Sequence, residues 1–96
     1  MTSLADIKTK LFENKDRLVK KYGLSFIAVF GSYSRGQQSE LSDIDILVDF
    51  SKPIGIEFID LAEELENILN HKVDLVSKKG VKKVYFQQIE KELSYV

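Results

Sequence analysis

The chain contains no cysteine, which excludes a disulfide framework and any thiolate metal site. It has no apolar run near the roughly 18 residues that a membrane-spanning helix needs. Its opening, Met1-Thr2-Ser3-Leu4-Ala5-Asp6, lacks the basic-then-apolar order of a secretion signal. An excess of one charge is missing too: 14 Lys and Arg face 15 Asp and Glu, a net charge of -1. That balance gives no global attraction to nucleic acid or to anionic lipid. The expectations are a cytoplasmic location, no membrane and no direct nucleic-acid binding. With 96 residues, 44% hydrophobic and 30% charged, the composition is globular and fits one domain over 1–96. A domain of this size buries only about two-thirds of its unfolded surface. Little remains for an elaborate substrate domain, so if the chain catalyses anything its acceptor has to be held by few residues or by another molecule.

Apolar residues at Leu4, Ile7, Leu11, Leu18, Val19 and Tyr22 follow helical spacing, with Lys8, Lys10, Lys15, Arg17 and Lys20 on the other side and Gly23 as the stop. Phe26 to Phe30 is apolar throughout and reads as a strand buried on both faces. Residues 31 to 42 are polar and rich in Gly and Ser, a turn or single helical turn followed by a loop. Ile44 to Phe50 is the second strand. Pro53 and Gly55 lead into a helix with Phe58, Leu61, Ala62, Leu65, Ile68 and Leu69 inward and Glu57, Glu63, Glu64 and Glu66 outward. Val73 to Val76 is the third strand. After Gly80 a final helix is predicted, with Val81, Val84, Tyr85, Ile89, Leu93 and Val96 as its apolar stripe. Strands interleaved with helices make the fold class α/β, with a small mixed sheet of three or slightly more strands flanked by helices.

Asp43-Ile44-Asp45-Ile46-Leu47-Val48 carries the most information. Side chains alternate along a strand, so Asp43 and Asp45 share one face and Ile44, Ile46 and Val48 the other. Unpaired carboxylates about 6.6–7 Å apart repel by about 2.5 kcal/mol at an effective dielectric near 20. A divalent cation between them removes that cost. In Val73-Asp74-Leu75-Val76 the apolar neighbours leave Asp74 on the opposite face. If the second and third strands are neighbours in register, Asp74 joins the other two on one wall. Oxygen ligands without His or Cys suit Mg²⁺ or Mn²⁺, and three carboxylates can hold two ions about 3.5–4 Å apart. Taken alone, Asp43-x-Asp45 reads equally well as a solvated strand edge. Its place at the start of a strand argues against phosphatase-like and sugar-transferase motifs, in which the apolar strand comes first. Asp49, further along the same face, reads as a solvated strand end.

Gly31-Ser32 lies directly after the first strand. Glycine permits close backbone approach of a ligand, and exposed N–H groups at a turn can hold phosphate oxygens. Ser32 adds a hydroxyl, and Arg35 a guanidinium within reach of the same phosphates. Ten residues separate Ser32 from Asp43.

Gly31-Ser32-Tyr33-Ser34-Arg35-Gly36, Ser42-Asp43-Ile44-Asp45-Ile46-Leu47-Val48 and Val73-Asp74-Leu75-Val76 together resemble the nucleotidyltransferase superfamily of DNA polymerase β type. Within it the chain is most similar to the minimal nucleotidyltransferases, the MntA-like antitoxins encoded beside HEPN-domain toxins. The similarity runs over nearly the whole chain with no departure at the motif positions. The resemblance implies the nucleotidyltransferase fold and transfer of a nucleoside monophosphate, usually AMP from ATP, to a hydroxyl. Asp43 and Asp45 would hold both of two Mg²⁺ ions, with Mn²⁺ as a substitute. Asp74 would hold the catalytic one and help orient or deprotonate the attacking hydroxyl. Gly31 and Ser32 would bind the departing pyrophosphate portion, assisted by Arg35. The implied acceptor is a tyrosine on a partner HEPN ribonuclease toxin, which nucleotidylation silences.

Two other readings compete. A non-catalytic antitoxin would neutralise its toxin by binding alone. A free-standing transferase acting on a small molecule ranks lowest, because such enzymes generally carry an extra domain. His71 reads as a surface residue. Lys78, Lys79, Lys82 and Lys83 form a basic patch that reads as a solvated loop before it reads as a triphosphate or acidic-partner attractant. Tyr85 is expected in the core; Tyr95 and Val96 suit either core or a partner surface.

Overall fold

The computed structural model describes residues 2–96. Helix α1 (Leu4–Tyr22) starts at a reciprocal cap, in which the Asp6 N–H donates to Ser3 Oγ at 3.2 Å and the Ser3 N–H to Asp6 Oδ2 at 3.4 Å. It ends at Gly23, left-handed at φ 69°, whose N–H returns to the Val19 carbonyl. Strand β1 (Leu24–Phe30) follows at once, then the short helix α2 (Ser32–Arg35), strand β2 (Ile44–Phe50), helix α3 (Glu57–Leu69) and strand β3 (Val73–Ser77). A 3₁₀ turn at Lys78–Gly80, helix α4 (Lys83–Glu90) and the two-residue strand β4 (Ser94–Tyr95) complete the chain.

The sheet runs β3-β2-β1-β4. β1 is antiparallel to both of its neighbours, and β2 and β3 are parallel, joined by α3 as the crossover that a parallel pair requires. On one face Ile27, Val29, Ile44, Ile46 and Val48 pack with Ile7, Leu11 and Leu18 of α1 and Leu61, Leu65 and Leu69 of α3. On the other, Phe30 and Leu47 meet Ile89 of α4, with Phe26, Val76, Phe86 and Leu93 around them. Ile27 to Phe30 are all buried, as expected of a strand covered on both faces.

The end of the chain departs from expectation. The predicted last helix stops at Glu90, and Ser94 and Tyr95 pair with Val29 and Ala28 instead. β1 carries an otherwise open row of backbone groups on that side, and β4 covers it, with a further bond from the Val96 N–H to the Ile27 carbonyl. Val84 and Tyr85 are consequently exposed, at 69% and 45%, and are not core. On α3, Glu64 and Glu66 are half-buried; Glu66 accepts the Val73 N–H at 3.0 Å and so ties the helix to the start of β3.

Candidate active site

The sheet register assembles the site. Phe30 faces Asp45 across the β1–β2 pair, and Asp45 faces Asp74 across the β2–β3 pair. Asp74 therefore stands beside Asp45, as an in-register arrangement predicts. Asp43 lies one residue before β2 and is half-buried. Among the described residues no three carboxylates or imidazoles are arranged to close on one metal ion. The expected three-aspartate convergence is thus reduced to an Asp45–Asp74 pair with Asp43 nearby. Asp43 and Asp74 place like charge around Asp45, which raises the cost of its ionisation.

Asp45 records the conflict. Its carboxyl is pushed up to about 6, first by burial, then by the charges of Asp74 and Asp43 and a hydrogen bond with Asp74; Arg35 opposes the shift.

Gly31 ends β1 with φ +75°, a conformation that favours glycine. A Cβ at this position would lie 2.0 Å from Asp45 Oδ2 and 2.9 Å from its Cγ. The glycine is what lets the Asp45 carboxyl rest against the backbone. Beyond it, α2 is the predicted single helical turn, with the Arg35 N–H donating to the Gly31 carbonyl at 3.1 Å. Ser32 is its first residue, half-buried. The Gly31 N–H is already engaged, by Glu92 Oε1 at 3.0 Å. Arg35 donates to both Glu92 oxygens, at 3.1 and 2.9 Å.

A cleft of about 370 Å³ opens over this wall, lined by Phe30, Gly31, Arg35, Asp45, Tyr85, Gln88, Ile89 and Glu92. Three of these escape a reading of the sequence. Tyr85 and Gln88 are concealed because the tail reads as one continuous core-facing helix, and Glu92 because a glutamate in such a helix looks solvated. His71 is half-buried: its Nδ1 faces the Lys72 carbonyl at 2.9 Å, which can only accept, so Nε2 takes the Tyr33 hydroxyl at 3.2 Å. That bond serves packing behind the α2 turn. Asp49 is half-buried and accepts the Phe50 N–H.

The wall joins an oxygen-only acidic pair to a glycine turn with a guanidinium beside it. A family model described as Polymerase beta, Nucleotidyltransferase matches residues 13–95. The chain belongs to this family. It is therefore a nucleotidyltransferase, and the mixed sheet flanked by helices is the expected nucleotidyltransferase fold. A protein adenylyltransferase MntA of Thermococcus cleftensis is 42% identical over 97 residues, covering 100% of this chain and 98% of that protein. A solved toxin–antitoxin structure with AMP-PNP contains a chain that is 32% identical with a TM-score of 0.72, over 86% of this chain and 69% of that one. Another, a tri-AMPylated Shewanella oneidensis HEPN toxin in complex with its MNT antitoxin, matches at 27% identity and a TM-score of 0.68, over 93% and 70%. Among the described residues no helix of this nucleotidyltransferase is long and apolar enough to cross a membrane.

Proposed function

We propose that this nucleotidyltransferase is a cytoplasmic, metal-dependent protein adenylyltransferase that transfers AMP from ATP to a tyrosine of a partner HEPN toxin and so silences it. The observation that carries this reading is Asp45, a carboxyl seated against Gly31 beside Asp74 and short of positive charge. Relatives named for protein adenylyltransferase activity, and similar chains found with AMP-PNP and with an AMPylated HEPN toxin, supply the substrate and the partner.

The residues fit a divalent cation. Their donor atoms are hard oxygens, and the raised Asp45 carboxyl is what a cation would return to its ionised form. Asp43 and Asp45 would hold two Mg²⁺ ions and Asp74 would share one. When bound, Mg²⁺ neutralises charge on the α-phosphate and the leaving pyrophosphate. The Gly31-Ser32 turn and Arg35 receive the β- and γ-phosphates. Asp74, exposed at the edge strand, orients the incoming tyrosine and takes its proton. The tyrosine oxygen bonds to the α-phosphorus as the bond to the pyrophosphate oxygen breaks. Pyrophosphate departs, and AMP remains on the acceptor.

The test is incubation with the purified cognate HEPN toxin, Mg²⁺ and ATP labelled at the α-phosphate. The toxin should become labelled on tyrosine, and Asp43→Ala with Asp45→Ala should abolish labelling. If that double variant still binds the toxin and still protects cells, neutralisation proceeds by occlusion alone and the catalytic reading of the biology is wrong.

A further inference from the structure

After α4 the chain makes two tight turns, Glu92 N–H to the Ile89 carbonyl at 3.0 Å and Leu93 N–H to the Glu90 carbonyl at 3.4 Å, before β4 joins β1. This return sets Glu92 beside the end of β1, where the Gly31 turn begins. Three contacts tie Glu92 to that turn. Its carboxylate accepts the Gly31 N–H at 3.0 Å. The same carboxylate takes both bonds from Arg35 Nη1. Its backbone carbonyl accepts the Ser34 hydroxyl.

We propose that Glu92 is a positioning residue of the nucleotide site, which fixes the Gly31 peptide and the Arg35 guanidinium so that the triphosphate meets a turn already assembled. The inference deepens the function proposed above and rests on its reading of the turn as the triphosphate subsite. Gly31 is gripped from two sides: Glu92 holds its N–H, and the space a Cβ would fill is taken by the Asp45 carboxyl. Release of the N–H frees the peptide to rotate and loosens the seat of Asp45. An ordinary surface ion pair would engage only Arg35 and would contribute little. A carboxylate that merely occupies the phosphate position until nucleotide arrives would sit on a segment free to leave. Glu92 does not: its backbone is held by Ser34 on one side and by β4 on the other. The short closing strand is thereby part of the nucleotide site.

The experiment compares wild type, Glu92→Gln, Glu92→Ala, Arg35→Ala and the double variant Glu92→Ala with Arg35→Ala for AMP-PNP binding by calorimetry with Mg²⁺, pyrophosphate binding, and transfer kinetics at matched folded fraction. Glu92→Gln keeps an acceptor for the Gly31 N–H and loses the ion pair; its KM for ATP should rise about tenfold with little change in kcat. Glu92→Ala should lower kcat/KM about a hundredfold and make Arg35→Ala nearly silent in the double variant. Should Glu92→Ala fail to fold, the isosteric Glu92→Gln decides. Unchanged KM in Glu92→Gln and unchanged binding in any folded Glu92→Ala overturn the positioning role while leaving the proposed function intact. Tighter pyrophosphate binding in the variants also overturns it, since Glu92 would then compete with phosphate. If wild type neither binds AMP-PNP nor labels the toxin, the reading of the site itself fails first.

Discussion

Two half-buried carboxylates in this protein meet opposite treatment. Glu64, on α3, accepts from the Tyr22 hydroxyl and pairs with Arg17 at 2.5 Å and Lys21 at 3.1 Å on α1. Its carboxyl is pushed down to about 2, chiefly by the Tyr22 hydrogen bond, with Arg17 and Lys21 adding to it against the opposing effect of burial. The Tyr22 hydroxyl moves the other way, raised first by burial and then by Glu64. Asp45, on β2, has Asp43 and Asp74 for neighbours and is pushed up to about 6. The cation nearest to helping it, Arg35, is engaged by Glu92. The fold can satisfy a carboxylate with its own side chains, and does so between α1 and α3. At the cleft it offers Asp45 no comparable partner, which suits the cation proposed for that site. Glu64 is satisfied within the fold and Asp45 is not.

The sharpest way to break the comparison is Asp45→Asn, which preserves shape and removes the charge. Transfer to the toxin should fall by at least about 100-fold in the labelling assay. Thermal unfolding of the metal-free variant should occur at the same temperature or higher, because a disfavoured charge has gone. A drop in stability would place Asp45 in the same structural class as Glu64. Next in size is Gly31→Ala. The positive φ and the collision with the Asp45 carboxyl should cost about 1–3 kcal/mol in denaturant unfolding, with transfer falling as well.

Much of this contrast is legible before any coordinates. The alternation in Asp43-Ile44-Asp45-Ile46 places the acids away from the apolar core, and the apolar neighbours of Asp74 set its face; both are local properties of strands, and both hold. Gly23 likewise marks the end of α1 by capping chemistry that depends on adjacent residues alone. The tail was beyond such reading. Val81, Val84, Tyr85, Ile89, Leu93 and Val96 keep helical spacing, yet Ser94 and Tyr95 form a strand because β1 has an open edge there, a fact of tertiary arrangement. Glu92 and Glu64 share this difficulty. Each finds its partners tens of residues away, at Gly31 and Arg35 or at Arg17 and Lys21, where no spacing rule reaches.

A smaller effect sharpens the comparison from the structural side. Glu64→Gln keeps an acceptor near Tyr22 and loses the charge that Arg17 and Lys21 address. It should destabilise the protein by about 1 kcal/mol in denaturant unfolding and leave AMP transfer at the wild-type rate. A loss of transfer at full folding would mean that the α1–α3 face communicates with the cleft.

The finest distinction is one of sign in the pH dependence of stability. Glu64 ionises near pH 2 in the folded chain against 4.5 ordinarily. Between those values the unfolded chain binds the extra proton, so stability rises with pH; the contribution is complete above about 4.5 and is lost as pH falls towards 2. Asp45 has its folded value raised from 3.8 to about 6. In that window the folded chain binds the extra proton, so its contribution is complete below 3.8 and is lost as pH rises through 6. Thermal unfolding of metal-free protein across pH 2 to 7 should therefore show two opposing slopes, the lower one absent in Glu64→Gln and the upper one absent in Asp45→Asn. Saturating Mg²⁺ should raise the unfolding temperature above pH 6 and have little effect near pH 4, since ligation requires the carboxylate. An upper slope that survives in Asp45→Asn, or a Mg²⁺ effect indifferent to pH, would show that the charge imbalance at Asp45 is not what calls for the cation.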